Sequence, residues 1–374
     1  MTRVLVGVGT AAYLPCDLAL PLVDGHPSTQ AGFQIMLTVD DDVISRADVR
    51  IGLMHRSMEK LYEARDYRQL MMLADRQDWM SAFSTEVAIA LAVENAMGIV
   101  VPERATLIRT LMAEATRAAA TLSFVLPILH DSTVADAARR LSLDLTSVQE
   151  AASGSRVHPM HTRIGGVARD LDDATIAQYR QVAQDISSVA DRVSLAVAES
   201  TSAHHGVATL TYAQAVQYSL FGPVGRASGL PRDVRLDAPY LAYADLGDAL
   251  DYPNYSVGDI PARYAALTDQ MAVSARLMIA CLDRLSDMRG PIDVPLPKVV
   301  RVPEGTYLSS VEGPLGQVGC LLVSAGEKTP WRLKMRTPSF ASAQALGPVL
   351  VGTSMPNLAA AVMSFFLSVG DIDR

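Results

Sequence analysis

Three stretches of this chain repeat apolar residues three and four apart for four or five turns, and this commits most of it to packed helices. One begins at Pro102-Glu103, with proline at a first-turn position, and carries Leu107, Ile108, Leu111, Met112, Ala115, Ala118, Ala119 and Leu122 until Pro127 stops it. Its small residues allow close helix packing. A second stripe is Ile176, Tyr179, Ala183, Ile186, Ala190 and Val193, and a third helix is expected over about Ile260 to Leu285. A shorter helix reads from a cap region at Ser84-Thr85-Glu86 through Ala96, ended by Gly98. Such stripes belong to a core.

The two ends read differently. Val4-Leu5-Val6 and Gly32 to Val39 have strand character, and Asp40-Asp41-Asp42 turns the chain into Val43-Ile44. Between them His26-Pro27-Ser28-Thr29-Gln30 reads as a loop, in which a lone histidine is usually a surface residue. Near the other end Tyr307–Val311, Gly319–Ser324 and Trp331–Met335 are expected to form a small antiparallel sheet. The expected fold is therefore α+β, a large helical bundle core with small N-terminal and C-terminal β-sheets. The regions are 1–45, 46–290 and 291–374. Residues 206–260, rich in Gly, Pro, Asp and Tyr, form a long irregular connection of the kind that is usually functional or partner-bound.

Composition narrows the function. Of 374 residues, 49% are hydrophobic and 19% charged, with a mean hydropathy of +0.19, which argues for a large core or for surfaces covered by partners. A net charge of −8 offers no basic footprint, so nucleic acid is not expected as a partner. Cys16, Cys281 and Cys320 have no CxxC spacing and cannot by themselves hold an iron–sulfur cluster or a structural zinc; they suit a reducing compartment. His158 and His161 lack a third ligand nearby, so no metal is expected there. The N-terminal apolar run is too short for a signal peptide. Thr337 to Gly370 contains no charged side chain, but Pro338, Gly347, Pro348, Gly352 and Pro356 break it, and it reads as two short buried helices rather than a membrane span.

The stretch from Ile51 to Ser81 carries the most unusual residues. Ile51, Met54, Met58, Leu61 and Tyr62 are spaced for a helix whose other face holds Glu59, Lys60, Glu63 and Arg65. His55-Arg56 sits at the start of that stripe, and the polar run Asp75-Arg76-Gln77-Asp78 directly precedes Trp79. Pattern alone would make either one a solvated helix face. Further on, Ser153-Gly154-Ser155-Arg156-Val157-His158 and Arg163-Ile164-Gly165-Gly166-Val167 read as an ordered turn presenting polar groups inward.

These segments resemble the D subunit of NADH-quinone oxidoreductase, respiratory complex I, a family related to the large subunit of nickel–iron hydrogenases. Ile51 to Leu61 is similar to the family's IGLLHRGTEKL run and Asp75 to Trp79 to its DRLDY segment. His26-Pro27-Ser28-Thr29 is similar to HPxxHG, and 153–158 and 163–167 to SGARMH and RPGGV. The C-terminal order of Val311 to Gly316, Pro330 to Lys334 and Arg336 to Phe340, and the ending Gly370-Asp371-Ile372-Asp373-Arg374, resemble the family as well. The resemblance implies a hydrogenase large-subunit-like fold without the two CxxC pairs that hold nickel and iron, which excludes hydrogenase activity.

It further implies a peripheral-arm component of a proton-translocating NADH:quinone oxidoreductase, on the cytoplasmic side of the cell membrane. Such a component holds no cofactor of its own. NADH, FMN and the iron–sulfur clusters belong to partner subunits, and ubiquinone or menaquinone is the substrate. Its expected partners are a B-like iron–sulfur-cluster subunit, other peripheral-arm subunits and membrane-arm subunits. The quinone headgroup would be held by His26, Gln30 and Trp79, with Arg56 near the partner's terminal cluster. His158 would be the titratable group and Asp131 its acidic partner. Gln30 and Trp79 stand where the family has His and Tyr. Both can donate a hydrogen bond, and neither can surrender a proton near neutral pH. A divergent copy is implied, and with it the alternative of a non-catalytic structural subunit of a related electron-transfer complex. Nothing in the chain reads NADH directly, so another donor is a third alternative.

Overall fold

In the computed structural model, which describes residues 1–7, 15–22, 25–30 and 32–373 and leaves the side chain of Gln30 undescribed, the chain has the expected α+β architecture. Strands β1 (Thr2–Gly7) and β2 (Leu18–Leu20) are parallel, and β3 (Gln34–Asp40) and β4 (Val43–Arg50) add antiparallel, giving the order β2-β1-β3-β4. A single helical turn, α1 (Pro27–Gln30), lies between β2 and β3. The hairpin turn uses Asp41 and Asp42 at positive φ, a conformation aspartate tolerates.

The expected helix starting at Ile51 does not form there. Residues 51–57 are a loop, with Gly52 at φ 94° and Ser57 at φ 58°, and α2 runs only over Met58–Glu63. The reason is tertiary. The Asp373 carboxylate accepts from the Gly52 and Met54 N–H groups at 2.7 and 2.6 Å, which ties this looped segment to residues from the far end of the chain. Met54, which the helical spacing would bury, is exposed. After α3 (Leu70–Ala74), α4 spans Ala82–Met97 and closes on Gly98 in the left-handed region. It starts two residues before the expected cap region and is buried nearly all round, sandwiched between the C-terminal sheet and the bundle.

The bundle consists of α5 (Glu103–Val125), α6 (Ser132–Ser153), α7 (Asp173–Thr201) and, after the irregular connection, a fourth long helix over Ile260–Asp287. Helix α6 is the one long helix that the apolar spacing alone does not announce. Val134, Ala138, Leu141, Leu145, Val148 and Ala152 make its stripe, in a background too polar to stand out. Asp131 and Asp172 cap α6 and α7 by accepting from backbone N–H groups two and three residues on. The two-residue strands β5 (Thr162–Arg163) and β6 (Gly166–Val167) form a tight hairpin between α6 and α7. The connection holds four short helices, α8 (Tyr212–Gln217), α9 (Gly222–Ala227), α10 (Val234–Asp237) and α11 (Tyr243–Leu246), before α12 (Ile260–Asp287) begins on the Asp259 cap. The α5 region to Ile128 and α12 are long and apolar enough to cross a membrane, but most of each is buried inside this chain. They are core helices of the bundle.

The C-terminal sheet is the expected antiparallel one, β7 (Gly305–Gly313), β8 (Gly316–Ser324) and β9 (Arg332–Arg336). Helices α13 (Pro338–Leu350) and α14 (Leu358–Met363) account for the uncharged stretch, and α15 (Val369–Ile372) ends the fold. Helix α13 packs on β4, and residue 43 bridges to Ser354, so the two ends of the chain lie together.

Candidate functional site

The meeting of the two ends builds the site. The Asp75–Ser81 segment leaves α3 and enters α4. The 51–57 loop lies beside it, and residues 368–373 pack between them. Most of the polar run is not solvated: Asp75, Gln77 and Asp78 are buried, and only Arg76 reaches the surface. Asp78 Oδ1 accepts from Ser368 Oγ at 2.6 Å and from the Met80 N–H at 3.1 Å, and burial still pushes its carboxyl up to about 6. Tyr62 donates to Gln77 Oε1 at 2.9 Å. Gly370 lies so close to this turn that a Cβ there would meet the Gln77 carbonyl oxygen at 2.1 Å.

A cleft of about 180 Å³ opens on this junction, lined by Met54, Arg56, Arg76, Gln77, Trp79 and Asp373 among others. Arg56 donates to the Arg76 carbonyl at 2.5 Å, and the Arg76 guanidinium reaches the Met72 carbonyl at 2.9 Å. Two guanidiniums thus face one small opening. Trp79, 50% exposed, is also a wall of a second cleft of about 350 Å³, whose lining of Phe83, Met112, Leu145 and Tyr179 is largely apolar. Gly32 abuts Met54 and Val369 of the first cleft, so the chain that follows α1 ends against it.

Of the residues expected at the site, the structure brings Arg56 and Trp79 to one cleft. Gln30 ends α1, and its side chain lies outside the described residues. His26 is elsewhere. It is 1% exposed, its Nδ1 accepts from the Ser28 N–H at 3.2 Å, and its Nε2 contacts the Phe124 carbonyl at 3.1 Å. Burial lowers its pKa to about 4, so it is a neutral core histidine anchoring the loop, with both nitrogens engaged inside the chain rather than on the surface expected of a lone loop histidine. Asp131 is also corrected: it caps α6 at the surface, and the Thr133 and Val134 N–H groups hold its carboxyl below the usual range. The carboxylate paired with His158 is Asp75, whose Oδ2 lies 2.9 Å from His158 Nδ1. The same Nδ1 lies 3.1 Å from the Asp75 carbonyl oxygen.

Two residues of the site go beyond those the sequence singles out. Arg76 stands out in the sequence only as part of a polar run. Glu86 has a signal of its own: with Glu94 it is one of two acids in the otherwise apolar α4, and acids on such a helix are buried with a purpose. Glu94 is explained by a two-pronged pair with Arg109, at 2.7 and 3.0 Å. Glu86 has no such partner.

Fold and cleft together define a large helical protein with a cationic, aromatic-walled opening where its two ends meet. Among the described residues no group of His, Cys, Asp and Glu is arranged to hold a metal ion. The family model for the respiratory-chain NADH dehydrogenase 49 Kd subunit matches residues 138–300 and 294–374. The D 1 subunit of the NADH-quinone oxidoreductase of Streptomyces coelicolor is 42% identical, over 100% of this chain and 99% of that protein. The D 2 subunit of the Salinispora tropica oxidoreductase is 41% identical over 100% and 98%. The D subunit of the Geobacillus thermodenitrificans oxidoreductase is 34% identical over 96% and 98%. A chain of the membrane-bound sulfane sulfur reductase, an archaeal respiratory membrane complex, superposes with a TM-score of 0.87 at 29% identity, over 93% of this chain and 96% of that one. This chain belongs to the D-subunit family of NADH-quinone oxidoreductases.

Proposed function

We propose that this chain is a peripheral-arm subunit of a complex I-like NADH:quinone oxidoreductase, and that the two clefts sharing Trp79 form its wall of the quinone-reduction pocket. The carrying observation is the pairing of an apolar cleft with one that displays Arg56 and Arg76, joined at a half-exposed indole. An apolar wall suits a quinone ring. The indole N–H can donate to a quinone carbonyl and stabilise the negative charge that builds there as electrons arrive. Arg56 and Arg76 would face the terminal iron–sulfur cluster of a B-like partner protein, and fixed positive charge beside a cluster raises its potential. Trp79 cannot release a proton, so proton delivery falls to His158, a third exposed and set on Asp75. Membrane-arm subunits would hold the assembly on the cytoplasmic face of the membrane, with NADH and FMN in other peripheral subunits.

The test is Trp79→Ala in the assembled complex. Quinone reduction should fall by about tenfold or more, the loss of one well-placed hydrogen bond and a ring contact, with complex content unchanged. An unchanged rate would remove Trp79 from the pocket. A second reading is favoured by the exchange of Tyr for Trp and by a structural relative that is a sulfane sulfur reductase: the pocket serves another acceptor, or none. Trp79→Tyr separates the two. It should raise quinone turnover if the acceptor is quinone and leave turnover flat if the protein is a scaffold.

A further inference from the structure

The irregular connection between α7 and α12, long for a compact chain, supplies no wall of the clefts at Trp79. It builds a groove of its own. A cavity of about 460 Å³ opens between the last turns of α7 and the first turns of α12, lined by the small side chains of Ala198, Ala262 and Ala265. Across Tyr255, which walls both, lies a second cleft of about 200 Å³. Leu195, Val257 and Leu236 stand in these walls at 67, 58 and 47% exposed. The segment that carries Tyr255 and Val257 is fixed in place. The Gly258 N–H donates to the Ala227 carbonyl and the Leu210 N–H to the Gly258 carbonyl, both at 2.9 Å, so the groove is preformed.

One acid in this groove is unmatched. Asp269 is half-buried, lies on the same face of α12 as Ala262 and Ala265, and lines the larger cavity. Its carboxylate accepts from the Tyr255 hydroxyl at 2.5 Å, and among the described residues no Lys, Arg or His forms an ion pair with it. The charge of Arg226 is felt at Asp269, but its guanidinium is committed to Glu312 at 3.2 Å and to Gln270 at 3.1 Å. Burial pushes the Asp269 carboxyl above its usual range. Two other acids of the groove are engaged within the chain. Asp259 caps α12 and accepts from the Gly206 N–H, and Asp233 pairs with Arg235 and Arg226. Asp251, at the second cleft, is exposed, and the exposed His205 lies against Asp259 at 3.5 Å. Apolar walls and uncompensated negative charge are what the groove displays, and a carboxylate in such walls is costly until a cation reaches it.

We propose that this groove docks a basic segment of another subunit of the complex, with apolar side chains of that segment in the two clefts and a lysine or arginine on Asp269. Three features favour a polypeptide over a small cation or a lipid surface. The exposed Leu195, Leu236 and Val257 spread over both clefts, and only an extended occupant covers all three. Two clefts side by side across Tyr255 suit successive side chains of one segment. Asp251 and Asp269 would repel an anionic membrane. The proposal rests on the membership of this chain in a family of complex subunits and not on the quinone reading, since no residue of the groove lines either cleft at Trp79.

The experiment uses the assembled complex with the photoreactive residue p-benzoylphenylalanine in place of Val257. Irradiation should join this chain to a peptide of another subunit that carries lysine or arginine among apolar residues, identified by mass spectrometry. Cross-links to lipid alone, to a second copy of this chain, or to nothing overturn the proposal. Asp269→Arg should lower retention of the cross-linked subunit in salt-washed complex about tenfold, and Asp269→Asn, which keeps a partner for the Tyr255 hydroxyl, should lower it less. Exchanging the lysine or arginine of the cross-linked peptide for glutamate should restore retention in Asp269→Arg, which a merely misfolded chain would not show. Unchanged retention in Asp269→Arg, or no restoration by the exchange, overturns the pairing with Asp269. Quinone reduction is read separately: its absence refutes the pocket at Trp79, and the cross-link then judges the groove alone.

Discussion

Two buried polar clusters, built from the same residue types, behave in opposite ways. In the bundle, Glu114 accepts from Arg235 at 3.0 Å, Arg117 at 3.2 Å, Tyr243 at 2.5 Å and Ser274 at 2.7 Å. Asp233 pairs with Arg235 and Arg226, and Arg117 also donates to the Glu312 and Gly313 carbonyls. Burial opposes these charges, yet the facing guanidiniums and hydroxyls hold Glu114 down to about 2 and Asp233 well below its usual range. Glu312, pushed up to about 7 by burial and by Asp233, is the exception. At the junction of the chain's ends, Asp78 and Glu86 find too few donors, and burial wins. Matched donors make a buried carboxylate a structural tie; a shortage leaves it an acid that holds its proton to higher pH than a solvated one.

The contrast can be broken most directly by Glu114→Ala. It leaves Arg117 buried without its carboxylate and Arg235 with Asp233 alone, so it should cost about 3–5 kcal/mol and strongly deplete the assembled protein, read by thermal unfolding of the complex. Leu111→Ala, in the fully buried part of the same helix, should cost about 2–5 kcal/mol through lost transfer energy and a cavity, without changing the pH dependence.

The pH dependence sharpens the comparison. Asp78 keeps its proton in the folded state up to about pH 6, while the unfolded chain loses it near 3.8, so stability falls as pH rises across that window. Glu86 adds a fall of the same sign that starts near 4.5 and extends upward. Asp78→Asn and Glu86→Gln should each flatten that fall in unfolding measured across pH. Glu114 has the opposite sign: its stabilisation is complete above about 4.5 and is lost as pH falls towards 2. The smallest expected effect is that of Asp131→Ala, which removes an exposed cap. Faster amide exchange at Thr133 and Val134, with normal turnover, is the expected outcome.

Much of the fold is legible in the residues themselves. The stripes of α5, α7 and α12, the Gly98 stop and the three C-terminal strands appear where their spacing places them. Arg56 and Trp79, far enough apart in the sequence to need the fold to meet, line one cleft. Helix α6 is hidden because its polar face outweighs its apolar one, and the 51–57 loop because helical spacing is silent about a carboxylate that arrives from residue 373. His26 and Asp131 are misplaced by sequence for a related reason. Whether a histidine is an exposed ligand or a core anchor depends on the Phe124 carbonyl, 98 residues away, and a capping aspartate has the same sequence signature as a pairing one.

The sequence by itself determined most of the helices and strands and which family the chain belongs to, because periodicity, caps and turn residues act over a few neighbours. Only the tertiary structure decided which acids are charged. That depends on how many N–H and O–H donors converge on each carboxyl from distant parts of the chain, and on how little water is left there to make up the difference.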